Sequence, residues 1–235
     1  MEKLTEKNYW KGAAAAFKST KLIVFAALII ALRVIVKAFK IPLASGLFLT
    51  FDCYINALGS FVYGPLMALA VGAISDTIGA LLFPSGAYFL PFIFVEMASS
   101  FIFALFFWQK KITPARAITA KFTVNFICNI ILTSIFTAWY HIWFGDGVAY
   151  NLINLVRIAK SLVLFPVEAI LICILLNALI PALKTLKLPI TGEKQKITAK
   201  HIILIAVLLI ISIALILFYI FFLKDFISAN NIKLL

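Results

Sequence analysis

Four carboxylates lie inside long apolar runs: Asp52, Asp76, Glu96 and Glu168. Arg33 sits in another such run. Arg157 and Lys160 stand at the start of a further one, three residues apart and so on one helix face. Ionisable groups in a hydrocarbon environment are costly, and they face a bundle interior or a water-filled cavity. Asp76 follows Gly72-Ala73-Ile74-Ser75 and precedes Gly79. It reads either as a site or proton-relay carboxylate, or as a structural partner of a neighbouring helix. Glu96, Arg157 and Lys160 fall toward the outer ends of their runs. They describe a solute site open to the exterior, with cations for an anionic or carbonyl-bearing ligand. The competing reading of the cations is snorkelling to headgroups, which is favoured for Lys160.

The run Trp139-Tyr140-His141-Ile142-Trp143 ends a span at the same level. It is an interfacial aromatic belt, or a stacking platform for a planar ring with Phe89 and Phe92 as the opposite wall. Asn125 and Asn129 are one turn apart. Their amides can read a heterocycle's donors and acceptors, or bond one helix to another. There is no GxxxxGK[ST], HExxH or GxSxG sequence, so neither ATP hydrolysis nor another catalysed reaction is expected. The three cysteines have no CxxC spacing and the two histidines are far apart, so no metal or other cofactor is expected.

The elements that must position these residues are membrane spans. Of the 235 residues 64% are hydrophobic and 13% charged, against about 25% charged in a soluble domain. Apolar runs extend over 22–38, 47–63, 66–83, 88–108, 117–144, 152–183 and 202–223, separated by breakers such as Gly64-Pro65 and Pro84-Ser85-Gly86. The N-terminal stretch lacks a short apolar core with a small-residue cleavage site, so no cleaved signal peptide is expected. The formal charge of +12 belongs to topology: Lys and Arg concentrate in 1–21, 110–121 and 184–200 and are sparse in the alternate loops. That asymmetry predicts a cytoplasmic N-terminus in a multi-pass cell-membrane protein, with six core spans and a seventh carrying the C-terminus outside. No aromatic-interleaved basic patch argues for nucleic acid.

The stretch Gly59-Ser60-Phe61-Val62-Tyr63-Gly64-Pro65, with Gly72-Ala73-Ile74-Ser75-Asp76-Thr77-Ile78-Gly79 and Pro84-Ser85-Gly86-Ala87-Tyr88-Phe89, resembles the S components of energy-coupling-factor (ECF) vitamin transporters, folate-type branch. Arg157-Ile158-Ala159-Lys160 is similar to an Arg-Ile-x-Lys element of that branch. The resemblance covers 22–186. It implies an all-α integral membrane protein, a six-helix bundle to which the seventh helix is appended. The divisions are then a basic cytoplasmic N-terminus (1–21), the substrate-binding membrane domain (22–186), a basic cytoplasmic linker (187–200), the extra helix (201–223) and an external tail (224–235). It further implies a vitamin pocket near the outer face, for folate or a related flat heterocycle. By analogy Phe89, Phe92, Trp139 and His141 stack or wall the ligand, Asn129 and Glu96 hydrogen-bond it, and Arg157, with Lys160 beside it, pairs with a carboxylate or carbonyl. Ala27 and Ala31 match an Ala-x-x-x-Ala element that contacts a transmembrane scaffold subunit, and two partner ATPases power import. The sequence after the Pro-x-Gly loop, Tyr88-Phe89-Leu90-Pro91-Phe92, departs from that branch.

Two other classes fit the span count. One is a non-transporting membrane scaffold protein of the cell-shape type. The other is an intramembrane enzyme using Asp76 or Glu96 as acid or base.

Overall fold

The computed structural model describes residues 7–44, 47–83, 88–144 and 155–190, with scattered positions between 203 and 217. The side chains of 40–49 and most of those of 155–160 lie outside that description. The described chain runs α1 (Lys7–Ala15), a 3-10 turn, α2 (Thr20–Lys37), β1 (Lys40–Ala44), β2 (Leu47–Thr50), α3 (Asp52–Tyr63), α4 (Pro65–Leu82), α5 (Phe92–Phe107), α6 (Pro114–Val124), a π-helical stretch (Asn125–Leu132), α7 (Thr133–Phe144) and α8 (Leu155–Thr185).

Helix starts follow local chemistry. Pro65 and Pro114 occupy the first helical turn, where a missing N–H costs nothing. Thr113 caps α6, its hydroxyl accepting from the Arg116 amide at 3.2 Å. Gly64 makes the α3–α4 turn at φ 83, a conformation that side-chain-bearing residues resist. At the end of the π-helical stretch the Thr133 backbone N–H donates to the Cys128 carbonyl, five residues back. That is the spacing of the wider helix.

The all-α expectation is corrected by one short element. Lys40–Ala44 and Leu47–Thr50 pair antiparallel, with a register irregularity between Pro42 and Ala44. The apolar run 47–63 is therefore a strand followed by a 12-residue helix, not a continuous span. Such a helix rises about 18 Å, short of a hydrocarbon core of about 30 Å. An apolar run of that length reads as strand or helix with equal ease, and backbone pairing with β1 decides it.

Among the described residues, Pro65–Leu82, Pro114–Phe144 and Ser161–Thr185 are long and apolar enough to cross a membrane. The pair Lys7–Lys18 and Thr20–Lys37 also qualifies as one bent unit, with a 78° turn. Phe92–Phe107 is apolar but shorter. The molecule is thus a multi-pass membrane protein. Of the expected seventh span, Ile203, Ala206, Val207, Ile210, Ile213, Ala214 and Leu217 are helical and exposed. The rest of that span, the linker from 191 to 200 and the tail lie outside the described residues.

Successive spans alternate in direction, with α6, the π-helical stretch and α7 running on as one. At one end lie α1, the α3–α4 turn, the α5–α6 loop and the end of α8. At the other lie the hairpin, the end of α4, the start of α5, the end of α7 and the start of α8. The first will be called the basic end and the second the hairpin end. α5 packs on α3 and α4, α2 on α3 and α4, and α6 on α8. Phe61, Tyr63, Phe103, Phe107, Ile172 and Leu176 fill the core between them.

Candidate functional site

α5 brings two groups of residues to the hairpin end. Phe92 and Glu96 are one turn apart on this helix and share a face. Phe92 belongs to an aromatic cluster, and Glu96 to a polar cluster one turn deeper.

The aromatic cluster centres on Phe89, which is buried. Its ring meets Phe92 at 5.8 Å, Trp139 at 5.6 Å, Tyr140 at 5.7 Å and Phe144 at 6.3 Å, all edge-on. Edge-to-face contacts are the favoured geometry for such rings. The expected approach of Phe89 and Phe92 to Trp139 is therefore present. Tyr140, the next residue along α7, and Phe144, a turn beyond it, join the cluster. His141 lies beside Tyr140, 5.7 Å away between ring centres. Trp143 points elsewhere and is largely exposed.

The polar cluster is organised by Arg33, which is fully buried. Its Nε and NH2 donate to the two oxygens of Asp52, each at 2.9 Å. NH2 also reaches Glu96 Oε2 at 2.5 Å, and NH1 donates to the Ser100 hydroxyl at 3.3 Å. Ser100 in turn donates to Asn56 Oδ1 at 2.8 Å, and the Asn56 amide donates to Ser99 at 3.2 Å. One guanidinium thus ties α2, α3 and α5 together. α4 comes close because Gly72 has no side chain: a Cβ there would stand 2.9 Å from both the Glu96 carbonyl oxygen and Ser100 Oγ. The Asp52 and Glu96 side chains keep 17% and 26% of their surface, while Arg33 keeps none.

Two further ion pairs lie inside the bundle. Lys37 Nζ is 3.0 Å from Asp76 Oδ1, and Lys121 Nζ is 2.9 Å from Glu168 Oε2. Asp76 is therefore a structural partner of α2. Lys121, counted above with the loop charges, is instead an interior residue, because a buried Glu168 on α8 needs a cation.

Other expected site residues fall differently. Glu96 does not stand alone but is gripped by Arg33. Asn129 lies in the π-helical stretch and donates to Asn125 Oδ1 at 3.0 Å, while Asn125 donates to the Ser161 carbonyl at 3.2 Å. Arg157 and Lys160 are in the first two turns of α8 at the hairpin end, but their side chains lie outside the described residues. Ala27 and Ala31 are exposed on α2. Sequence reasoning missed the Arg33 cluster. The available signal was an Arg in an apolar run together with carboxylates in two other runs, since each demands a buried partner.

Residues 17–187 match the family described as ECF-type riboflavin transporter, S component. The chain belongs to this S-component family. A folate transporter FolT of Clostridium novyi is 33% identical over 116 residues, covering 49% of this chain and 64% of that protein. A folate transporter FolT of Leuconostoc mesenteroides is 29% identical over 119 residues, covering 49% and 63%. The chain thus spans a little under two thirds of the length of these curated relatives. A crystal structure of FolT bound with folic acid superposes with a TM-score of 0.58 at 28% identity, covering 68% of this chain and 94% of that one.

Proposed function

We propose that this chain is the membrane-embedded, high-affinity substrate-binding subunit of an ECF-type importer, taking up folate or a related flat heterocycle at the hairpin end. The observation that carries this reading is the stacking of two layers on one face of α5. The ring cluster of Phe89, Phe92 and Trp139 lies one turn above the partly accessible carboxylates of Glu96 and Asp52. Apolar walls with a few convergent polar groups make a small-molecule site. Pterins and flavins both offer a flat face for the rings and ring N–H groups for carboxylate acceptors, so the two vitamins named among the relatives share this chemistry. FolT relatives favour folate.

In this reading Trp139, Phe89, Phe92 and His141 wall the ring system, and Glu96 accepts from it. Asn129 hydrogen-bonds the ring system as well, and Arg157 with Lys160 meets a carboxylate of the ligand. The basic end faces the cytoplasm, as its Lys and Arg content favours. The exposed Ala27 and Ala31 lie against a transmembrane scaffold subunit, since small residues let helices approach closely. Two partner ATPases supply the energy. Residues 1–21 and 187–200 are the cytoplasmic segments, 22–186 the binding domain, 201–223 a peripheral helix and 224–235 an external tail.

The test is thermal unfolding of the purified chain in detergent with folic acid, reduced folates and riboflavin. A true ligand at 100 times its dissociation constant adds about 2.7 kcal/mol. Folate is expected to stabilise, and Phe89→Ala to weaken binding roughly tenfold to a hundredfold through lost ring contacts. Stabilisation by riboflavin alone reassigns the vitamin. No stabilisation by any of them, in folded protein, overturns the reading.

A further inference from the structure

α1 does not continue the first span. It turns 78° from α2 and lies across the basic end. Its inner face is anchored: Tyr9 and Ala13 are buried, and Tyr9 meets the Trp108 ring edge-on at 4.7 Å. Trp108 in turn covers Gly64. The outer side carries two stripes. Lys7 and Lys11 of α1 and Lys18 of the 3-10 turn that extends it are exposed at helical spacing, and beside them stand Trp10, 36% exposed and stacked on Phe101 at 6.3 Å, and Phe17 of the same turn, 47% exposed.

The charge on this side has no counterweight among the described residues. All four described carboxylates are inside the bundle, paired with Arg33, Lys37 and Lys121. The α5–α6 loop adds Lys110 and Arg116, and the end of α8 adds Lys184 and Lys187.

We infer that α1 is an interfacial helix, and that its lysine stripe with the flanking basic loops forms a docking surface for the phosphates of anionic lipid headgroups. A helix lying in the membrane plane needs apolar groups on the lipid side and cations at headgroup level, and Trp10 and Phe17 beside the lysines meet that requirement. Each lysine near an anionic surface contributes an attraction that falls off within a Debye length. The packing of Tyr9 on Trp108 makes the occupant a stabiliser of the whole fold, because headgroup contacts to α1 are passed to the α3–α4 turn beneath it. The inference does not depend on which vitamin the hairpin end binds.

The test uses the full chain in zwitterionic detergent, with thermal unfolding followed during titration with dioctanoyl phosphatidylglycerol, dioctanoyl phosphatidylcholine or inorganic phosphate. Two variants are compared with the wild type: K7Q/K11Q/K18Q and K7R/K11R/K18R. These lysines are exposed, so neither triple variant should compromise folding. The expected result is stabilisation by phosphatidylglycerol over phosphatidylcholine in the wild type and the arginine variant. The glutamine variant should lose roughly a hundredfold in apparent affinity, and 0.5 M salt should do much the same to the wild type. Equal stabilisation of the glutamine variant overturns the inference. Inorganic phosphate matching phosphatidylglycerol overturns the lipid assignment in favour of a free anion. No preference for phosphatidylglycerol, combined with lysine-dependent binding to acidic partner subunits, overturns it in favour of a protein surface.

Discussion

Arg33 holds Asp52 with two parallel hydrogen bonds, Nε to Oδ1 and NH2 to Oδ2, both 2.9 Å. The pair fixes the first residue of α3 against the last turns of α2, across the hairpin that joins them. A two-pronged guanidinium–carboxylate contact sets direction as well as distance. It therefore orients α3 and, through Glu96, α5.

Removing the cation strands two carboxylates that are mostly buried. Arg33→Leu is expected to cost about 3–5 kcal/mol, the usual penalty for breaking a buried pair from one side. Adding Asp52→Asn and Glu96→Gln to that background should recover part of the loss, because the uncompensated charges are gone. Unfolding of the purified protein measures both. A triple variant no more stable than Arg33→Leu would show that the guanidinium acts through packing alone.

Lys121 and Glu168 tie α6 to α8 at 2.9 Å, each almost wholly buried. Lys121→Met alone should again cost about 3–5 kcal/mol, whereas Lys121→Met with Glu168→Leu should sit close to the wild type. The pair of melting curves decides the matter. Equal damage from the single and double variants would mean that the ion pair itself, not the avoidance of a lone charge, stabilises the bundle.

Gly64 combines φ 83 with the Trp108 ring, whose Cε2 would lie 2.7 Å from a Cβ. Gly64→Ala is expected to destabilise by at least about 1–2 kcal/mol from backbone strain alone, with the ring displacement added. Gly12→Ala is the matched control: its nearest new contact, also Trp108, is an ordinary 3.6 Å. It should be neutral or slightly stabilising in the same assay.

Burial pushes the Tyr9 phenol up to about 12 from its ordinary 10. The folded state therefore holds this proton more tightly than the unfolded chain does. Stability from the Tyr9 contact is complete below pH 10 and is lost as pH rises through about 12. The fluorescence of Trp108 should report undocking of α1 in that window, and Tyr9→Phe should remove the transition. The Tyr9 hydroxyl has no hydrogen-bond partner among the described residues. Its removal is thus expected to stabilise at neutral pH by about 1 kcal/mol.

Several features were legible from residue order alone. The excess of apolar residues, at 64%, required a membrane bundle. The Gly64-Pro65 breaker set the start of α4, because it acts within a few residues of itself. The aromatic group at 139–143 and the Phe89–Phe92 loop were visible as candidates, and alternating helix direction then placed them at one end.

The remainder required the third dimension. Whether 47–50 is strand or helix depends on β1, since a short apolar run suits either. The positions of Arg33, Asp52 and Glu96 in separate runs announce buried charge, but not which cation meets which carboxylate. Lys121 counted as a loop charge until Glu168 was found beside it. α1 looked like a charged terminal segment because its anchor, Trp108, lies almost a hundred residues away in the chain. Composition and local backbone preferences act over short stretches, and so they determined the apolar, helical character of the chain and where some helices start. Pairing between distant charges and rings is decided only when helices pack, because burial then makes every unpaired partner costly.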